Sequence, residues 1–148
     1  MTRRPVKARR SPGARRFGYL VAIVVNAVLL YLLLVQPGWE AVPVLTAEAD
    51  RVVGWVGASL GVGILANLVF LARDPVWLKA TGDLVTTAVG LVATWRVWRV
   101  FPFDFSDISF DAALVVRILL VIALVGGVIG ILAAVGTIVK DRRLAQRE

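Results

Sequence analysis

Three arginines and three aspartates crowd one short stretch of this chain. Trp95-Arg96-Val97-Trp98-Arg99 is followed by Asp104, Asp107 and Asp111, interleaved with Phe101, Phe103, Phe105 and Phe110, and then by Arg117. Guanidinium and carboxylate groups at this density can neutralise one another, hold an anion or a lipid headgroup, or support acid–base chemistry on a lipid. A calcium site is disfavoured, because the spacing is not that of a calcium loop and the neighbouring arginines repel a cation. A second, sparser set lies within apolar runs: Asn26, Asn67 and Asp83. An unpaired amide in hydrocarbon costs roughly 4–8 kcal/mol, so Asn26 is expected to hydrogen-bond a neighbouring helix, a bond worth roughly 0.6–2 kcal/mol. Asp83 follows Lys79 by one helical turn and can pair with it. If Asp83 also faces Asn67, the two make a candidate proton or cation site; the plainer reading is an acid neutralised at the interface.

Much chemistry is excluded by composition. The chain has no Cys and no His, and Met1 is its only Met. Disulfides, Cys-ligated clusters, the usual zinc sites, and haem ligation by His, Cys or Met side chains within the chain are therefore ruled out. Cysteine nucleophiles and histidine bases are lacking too. No cofactor and no metal are expected.

The elements that must position these residues are membrane helices. Of 148 residues, 59% are hydrophobic, and the mean hydropathy is +0.81, more apolar than soluble domains usually are. The excess is gathered into four stretches, each near the roughly 20 residues that cross a hydrocarbon core of about 30 Å. The expected fold is an all-α integral membrane four-helix bundle with spans at about 17–35, 52–72, 76–101 and 112–139. The first span is read as a retained helix and not as a cleaved signal, its apolar run being longer than an ordinary signal core. Thr46, Asp74 and Ser109 are candidate N-caps for the second, third and fourth helices, with Pro75 opening the third.

Net charge is +7, and its distribution sets an orientation. Residues 1–16 carry Arg3, Arg4, Lys7, Arg9, Arg10, Arg15 and Arg16 without an acid. With Pro5, Pro12 and Gly13 as helix breakers, this segment reads as a disordered basic tail suited to anionic headgroups. Arg73 and Lys79 of the middle turn, with Lys140, Arg142, Arg143 and Arg147 of the basic tail 140–148, fall on the same side. Arg51, Arg96, Arg99 and Arg117 fall on the other. The excess of basic residues in cytoplasmic segments then places both termini in the cytoplasm of a multi-pass protein of the cell membrane. The arginine–aspartate stretch becomes an outer cap, with Arg117 expected to pair with Asp111, Asp107 or Asp104. An unpaired arginine near the bilayer centre costs roughly 2.5–3.5 kcal/mol. Nucleic acid is not an expected partner, since nothing beyond charge would read bases.

Small residues at helical spacing mark faces for close packing: Gly54, Ala58 and Gly61 in the second span, Gly90 in the third, and Gly126, Gly130 and Ala134 in the fourth. Helices in lipid associate through such faces, within a chain or between copies.

The runs FGYLVAIVVNAVLLYLLLVQPGWEAVPVL, ARDPVWLKATGDLVTTAVGL and VWRVFPFDF resemble a set of uncharacterised small four-span membrane proteins of actinobacteria. The resemblance covers most of the chain outside the tails. It implies a cell-envelope address and carries no ligand or catalytic residue with it. Three functional classes follow from the residues. The favoured one is a non-enzymatic structural or accessory subunit binding lipid, a partner membrane subunit or further copies of itself. The next is a homo-oligomeric channel or small transporter using Asp83, Asn67 and Asn26. The last is a lipid-modifying enzyme built on the arginine–aspartate stretch.

Overall fold

The computed structural model describes residues 11–145. Arg3, Arg4, Lys7, Arg9, Arg10 and Arg147, with the expectations attached to them, lie outside the described residues. Four long helices follow one another: α1 Pro12–Leu34, α2 Asp50–Ala72, α3 Val76–Val100 and α4 Ala112–Ala145. Two single 3-10 turns, Trp39–Ala41 and Ala47–Ala49, shape the connection between α1 and α2. All four helices are long and apolar enough to cross a membrane.

Their ends differ from the sequence expectation for identifiable reasons. α1 starts at Pro12, five residues ahead of the apolar run, with the Ser11 hydroxyl accepting the Ala14 amide at 3.4 Å. Proline at the first helical position has no N–H to lose and already holds a helical φ. Pro12 therefore opens the helix instead of breaking it, and Arg15 and Arg16 stand on α1 and not in a tail. α3 begins at Val76, with Pro75 in extended backbone as its N-cap, and the Asp74 carboxylate bonds Arg15 instead of capping the helix. Asp111, not Ser109, caps α4: its Oδ1 accepts the Leu114 amide at 2.9 Å. Thr46 makes no side-chain cap, the 3-10 turn 47–49 intervening before α2. At the far end α4 continues through Lys140 to Ala145. Charged residues end an apolar span without ending a helix, since lysine and arginine are good helix formers and suit a helix C-terminus.

Packing follows chain order. α1 lies on α2, α2 on α3 and α3 on α4, while α1 and α4 are not among the closely packed pairs. The even number of helices puts the start of α1 and the end of α4 at one end of the molecule, here the terminal end. The opposite, loop end holds the α1–α2 and α3–α4 connections. These are tied together by backbone: Thr46 N–H donates to the Pro102 carbonyl at 3.1 Å, and Asp104 N–H to the Val44 carbonyl at 2.9 Å. Pro102 is fully buried between them, and Phe101, at φ 45°, turns the chain out of α3 in the left-handed region.

The helix seams use glycines selectively. The Cβ position of Gly57 meets Leu30 and Leu34 at 3.6 Å, and that of Gly63 meets the Asn26 amide at 3.5 Å. That of Gly127 falls 2.7 Å from Leu91, that of Gly130 falls 3.5 Å from Thr87, and a Cβ on Gly82 would enter the Phe70 ring. Of the small residues marked in the sequence, Gly130 and the buried Ala134 stand in the α3–α4 seam. Around the Cβ positions of Gly54, Gly61, Gly90 and Gly126 there is nothing within 4 Å, and Ala58 is exposed. Spacing of three and four defines a helix face but not which neighbour it meets; here the seams run chiefly along other faces.

Candidate functional site

Polar side chains gather in four places. At the terminal end, Arg15 Nε donates to Asp74 Oδ2 at 2.7 Å, and the Tyr19 hydroxyl donates to the same oxygen at 3.2 Å. The pair is largely withdrawn from solvent, with side-chain exposures of 21% and 15%. Tyr19 is buried and packs on Phe70, ring centroids 5.6 Å apart. This junction of α1 with the α2–α3 turn departs from the sequence expectation, which puts Arg15 in a tail. The available signal was Ser11-Pro12, which reads as a helix start and puts Arg15 and Tyr19 one turn apart on one face.

Beside it, Lys79 Nζ meets Asp83 Oδ2 at 2.7 Å and lies 5.2 Å from the Phe70 ring centroid. The pair borders a cleft of about 460 Å³ between α3 and α4, which Thr87, Gly130, Ala133 and Thr137 also line. The cleft holds a paired acid and base with hydroxyls nearby, a setting able to accommodate a small polar solute.

Asn26 and Asn67 do not join this cleft. Asn26 Nδ2 donates to the Ala22 carbonyl at 2.7 Å within α1, and its amide rests against Gly63 of α2. Asn67 Nδ2 donates to the Gly63 carbonyl at 2.8 Å within α2. Both amides thus collect around Gly63 in the α1–α2 seam, apart from the Asp83 cleft. The interhelical hydrogen bond expected of Asn26 is replaced by a bond to its own preceding turn. The carbonyl four residues earlier is always within reach of a helical side chain, whatever the neighbouring helix offers.

At the loop end the expected arginine–aspartate pairing is not what the structure holds. Each arginine sits over an aromatic ring: Arg96 over Trp55 at 4.8 Å, Arg99 over Trp95 at 5.8 Å, and Arg117 over Phe101 at 4.3 Å and Trp98 at 5.7 Å. Among the described residues the ion pairs are Arg15–Asp74, Arg51–Glu48 and Lys79–Asp83, and none joins these arginines to a carboxylate. The aspartates have other work. Asp111 caps α4. Asp104 Oδ1 accepts the Ser106 amide at 3.0 Å. That backbone bond, helped by the Ser106 side chain, holds the Asp104 carboxyl below its ordinary value against a slight opposing effect of desolvation. Asp107 is exposed. Phe103 stacks on Phe105 at 5.7 Å and meets Phe101 edge-on at 5.3 Å, which joins these rings to the one beneath Arg117. Among the described residues no group of three His, Cys, Asp or Glu is placed to share a metal ion.

The described residues offer carboxylates, guanidiniums, an ammonium and hydroxyls at these places. No protein-family model matches it, and comparison with curated proteins and with solved structures finds no match.

Proposed function

We propose that the protein is a non-enzymatic structural or accessory subunit of the cell membrane, with both termini cytoplasmic, that associates with other membrane helices through α2. The observation that carries this reading is the outward stripe Gly54, Ala58 and Gly61. Ala58 is exposed, and the Cβ positions of both glycines have nothing within 4 Å. Small residues that the chain's own packing leaves unused allow another backbone to approach closely, which is the main way helices attract one another in lipid. The row-like packing supports it, since α1 and α4 do not close against each other. The test is gentle extraction from native membranes followed by native mass measurement of wild type and a Gly54→Leu/Gly61→Leu variant. A stoichiometric companion subunit, or further copies of the chain, retained by wild type and lost by the variant is the expected result. A wild-type monomer free of protein partners overturns the proposal.

A second reading, a small transporter, draws on one specific feature, the cleft beside Lys79 and Asp83. Under that reading Asp83→Asn abolishes solute or proton flux in proteoliposomes while leaving assembly intact. Under the subunit reading neither changes.

A further inference from the structure

We propose that the loop end of the α3–α4 hairpin binds one anionic phospholipid, its acyl chain along an apolar groove and its phosphate between Arg99 and Arg117. The groove, about 440 Å³, is walled by Leu91, Val92 and Trp95 of α3 and by Leu124 and Val128 of α4. Helical periodicity sets one arginine above each wall. Arg99 lies one turn beyond Trp95 and two turns beyond Val92, on the same face of α3; Arg117 lies two turns before Leu124, on the same face of α4. α3 ends and α4 begins at the loop end, so the two side chains crown the same mouth of the groove.

Their state suits a phosphate. Both residues are exposed, and neither has a carboxylate within ion-pair distance among the described residues. Each is held over a ring, Arg99 at Trp95 and Arg117 at Phe101 and Trp98. Contact through the guanidinium face steadies the side chain and leaves its N–H edge free to donate to phosphate oxygens. Trp95 belongs to both parts, lining the groove and supporting Arg99, so it joins the region for the chain to the region for the headgroup. Tryptophan and arginine at the end of a membrane span stand where lipid phosphates lie. A free anion would need no groove, and a partner helix would need no unpaired arginines; a lipid uses both. The site does not depend on the α2 face discussed above.

The experiment is native mass spectrometry of the full chain in dodecyl maltoside, titrated with phosphatidylglycerol and, for comparison, with diacylglycerol and with inorganic phosphate. One phosphatidylglycerol per chain is expected to be retained, and neither diacylglycerol nor phosphate. Arg99→Gln and Arg117→Gln should each weaken binding about tenfold, as expected for loss of a charge-assisted hydrogen bond. Leu124→Trp should weaken it by filling the groove with the charges intact. Arg73→Gln, exposed at the opposite end of the molecule, should leave it unchanged. Helicity by circular dichroism verifies that each variant is folded. Equal retention of diacylglycerol, an affinity indifferent to both the arginine and the groove variants, or an equal loss in Arg73→Gln overturns the proposal. So does efficient disulfide cross-linking of a Leu124→Cys variant to a second copy, which would show the groove filled by protein.

Discussion

Single side chains in this molecule take the partner that the fold leaves within reach, which is not always the opposite charge nearest in sequence. The loop-end arginines illustrate it. Asp104 is held by Ser106 and Asp111 by the start of α4, while Trp55, Trp95, Trp98 and Phe101 already stand beside Arg96, Arg99 and Arg117. Sequence proximity of opposite charges did not reveal this, because it carries no information on which carboxylates the backbone has claimed. Two predictions belong at this scale. Gly82→Ala should destabilise the protein by about 1–3 kcal/mol through overpacking against the buried Phe70 ring. Gly54→Ala, with open space around it, should be neutral or slightly stabilising, alanine being the better helix former; thermal unfolding of the two variants in the same detergent makes the comparison. The second concerns Asp104, whose carboxyl is lowered mainly by the Ser106 backbone amide. Its charged form supports the turn above the ordinary carboxylate range, and that support is lost as pH falls through the lowered value in the folded chain. Ser106→Ala should move the Asp104 titration, followed by carboxyl NMR, only part of the way back up, since the backbone bond survives the substitution.

Whole elements were far more legible than their termini. Four apolar stretches of the right length appear in composition alone, because lipid demands a continuous helix with every backbone group satisfied. Helix starts were less legible, since they turn on one hydrogen bond among several nearby candidates. Ser109 and Asp111 are both competent caps, and it is the Asp111 carboxylate that accepts an amide of the first turn. Rotational phase was the least legible feature: Gly57, Gly63, Gly82, Gly127 and Gly130 carry the close contacts, while around the Cβ positions of Gly54, Gly61, Gly90 and Gly126 there is open space. The junction of α1 with the α2–α3 turn yields a prediction at this scale. Arg15 and Asp74 are mutually bonded at 2.7 Å and mostly shielded, so Arg15→Gln and Asp74→Asn should not be additive. A double-mutant cycle on thermal or chemical unfolding is expected to give a coupling energy of about 0.5–3 kcal/mol. Additive losses would mean that the first turn of α1 is held by packing of Tyr19 on Phe70 and not by the ion pair.

At the scale of the whole molecule, four consecutive helices put both ends of the described chain at one end, and the proposal that this end is cytoplasmic rests on the unequal distribution of basic residues. Arg15, Arg16, Arg73, Lys79, Lys140, Arg142 and Arg143 belong to the terminal end, and the loop end keeps Arg51, Arg96, Arg99 and Arg117. The loop-end arginines are, moreover, of a different kind. Arg96, Arg99 and Arg117 rest on aromatic rings and Arg51 pairs with Glu48. The chain has no cysteine, which makes each introduced thiol the only one present. Ser106→Cys in the α3–α4 connection should react in intact cells with a maleimide that cannot cross the membrane, and Ser11→Cys should react only after the membrane is opened. The reverse pattern would put the termini outside, and the phosphate mouth crowned by Arg99 and Arg117 would then face the inner leaflet. The lipid proposal survives either orientation, but its headgroup would be drawn from a different leaflet. Labelling therefore decides which lipid pool the groove can sample.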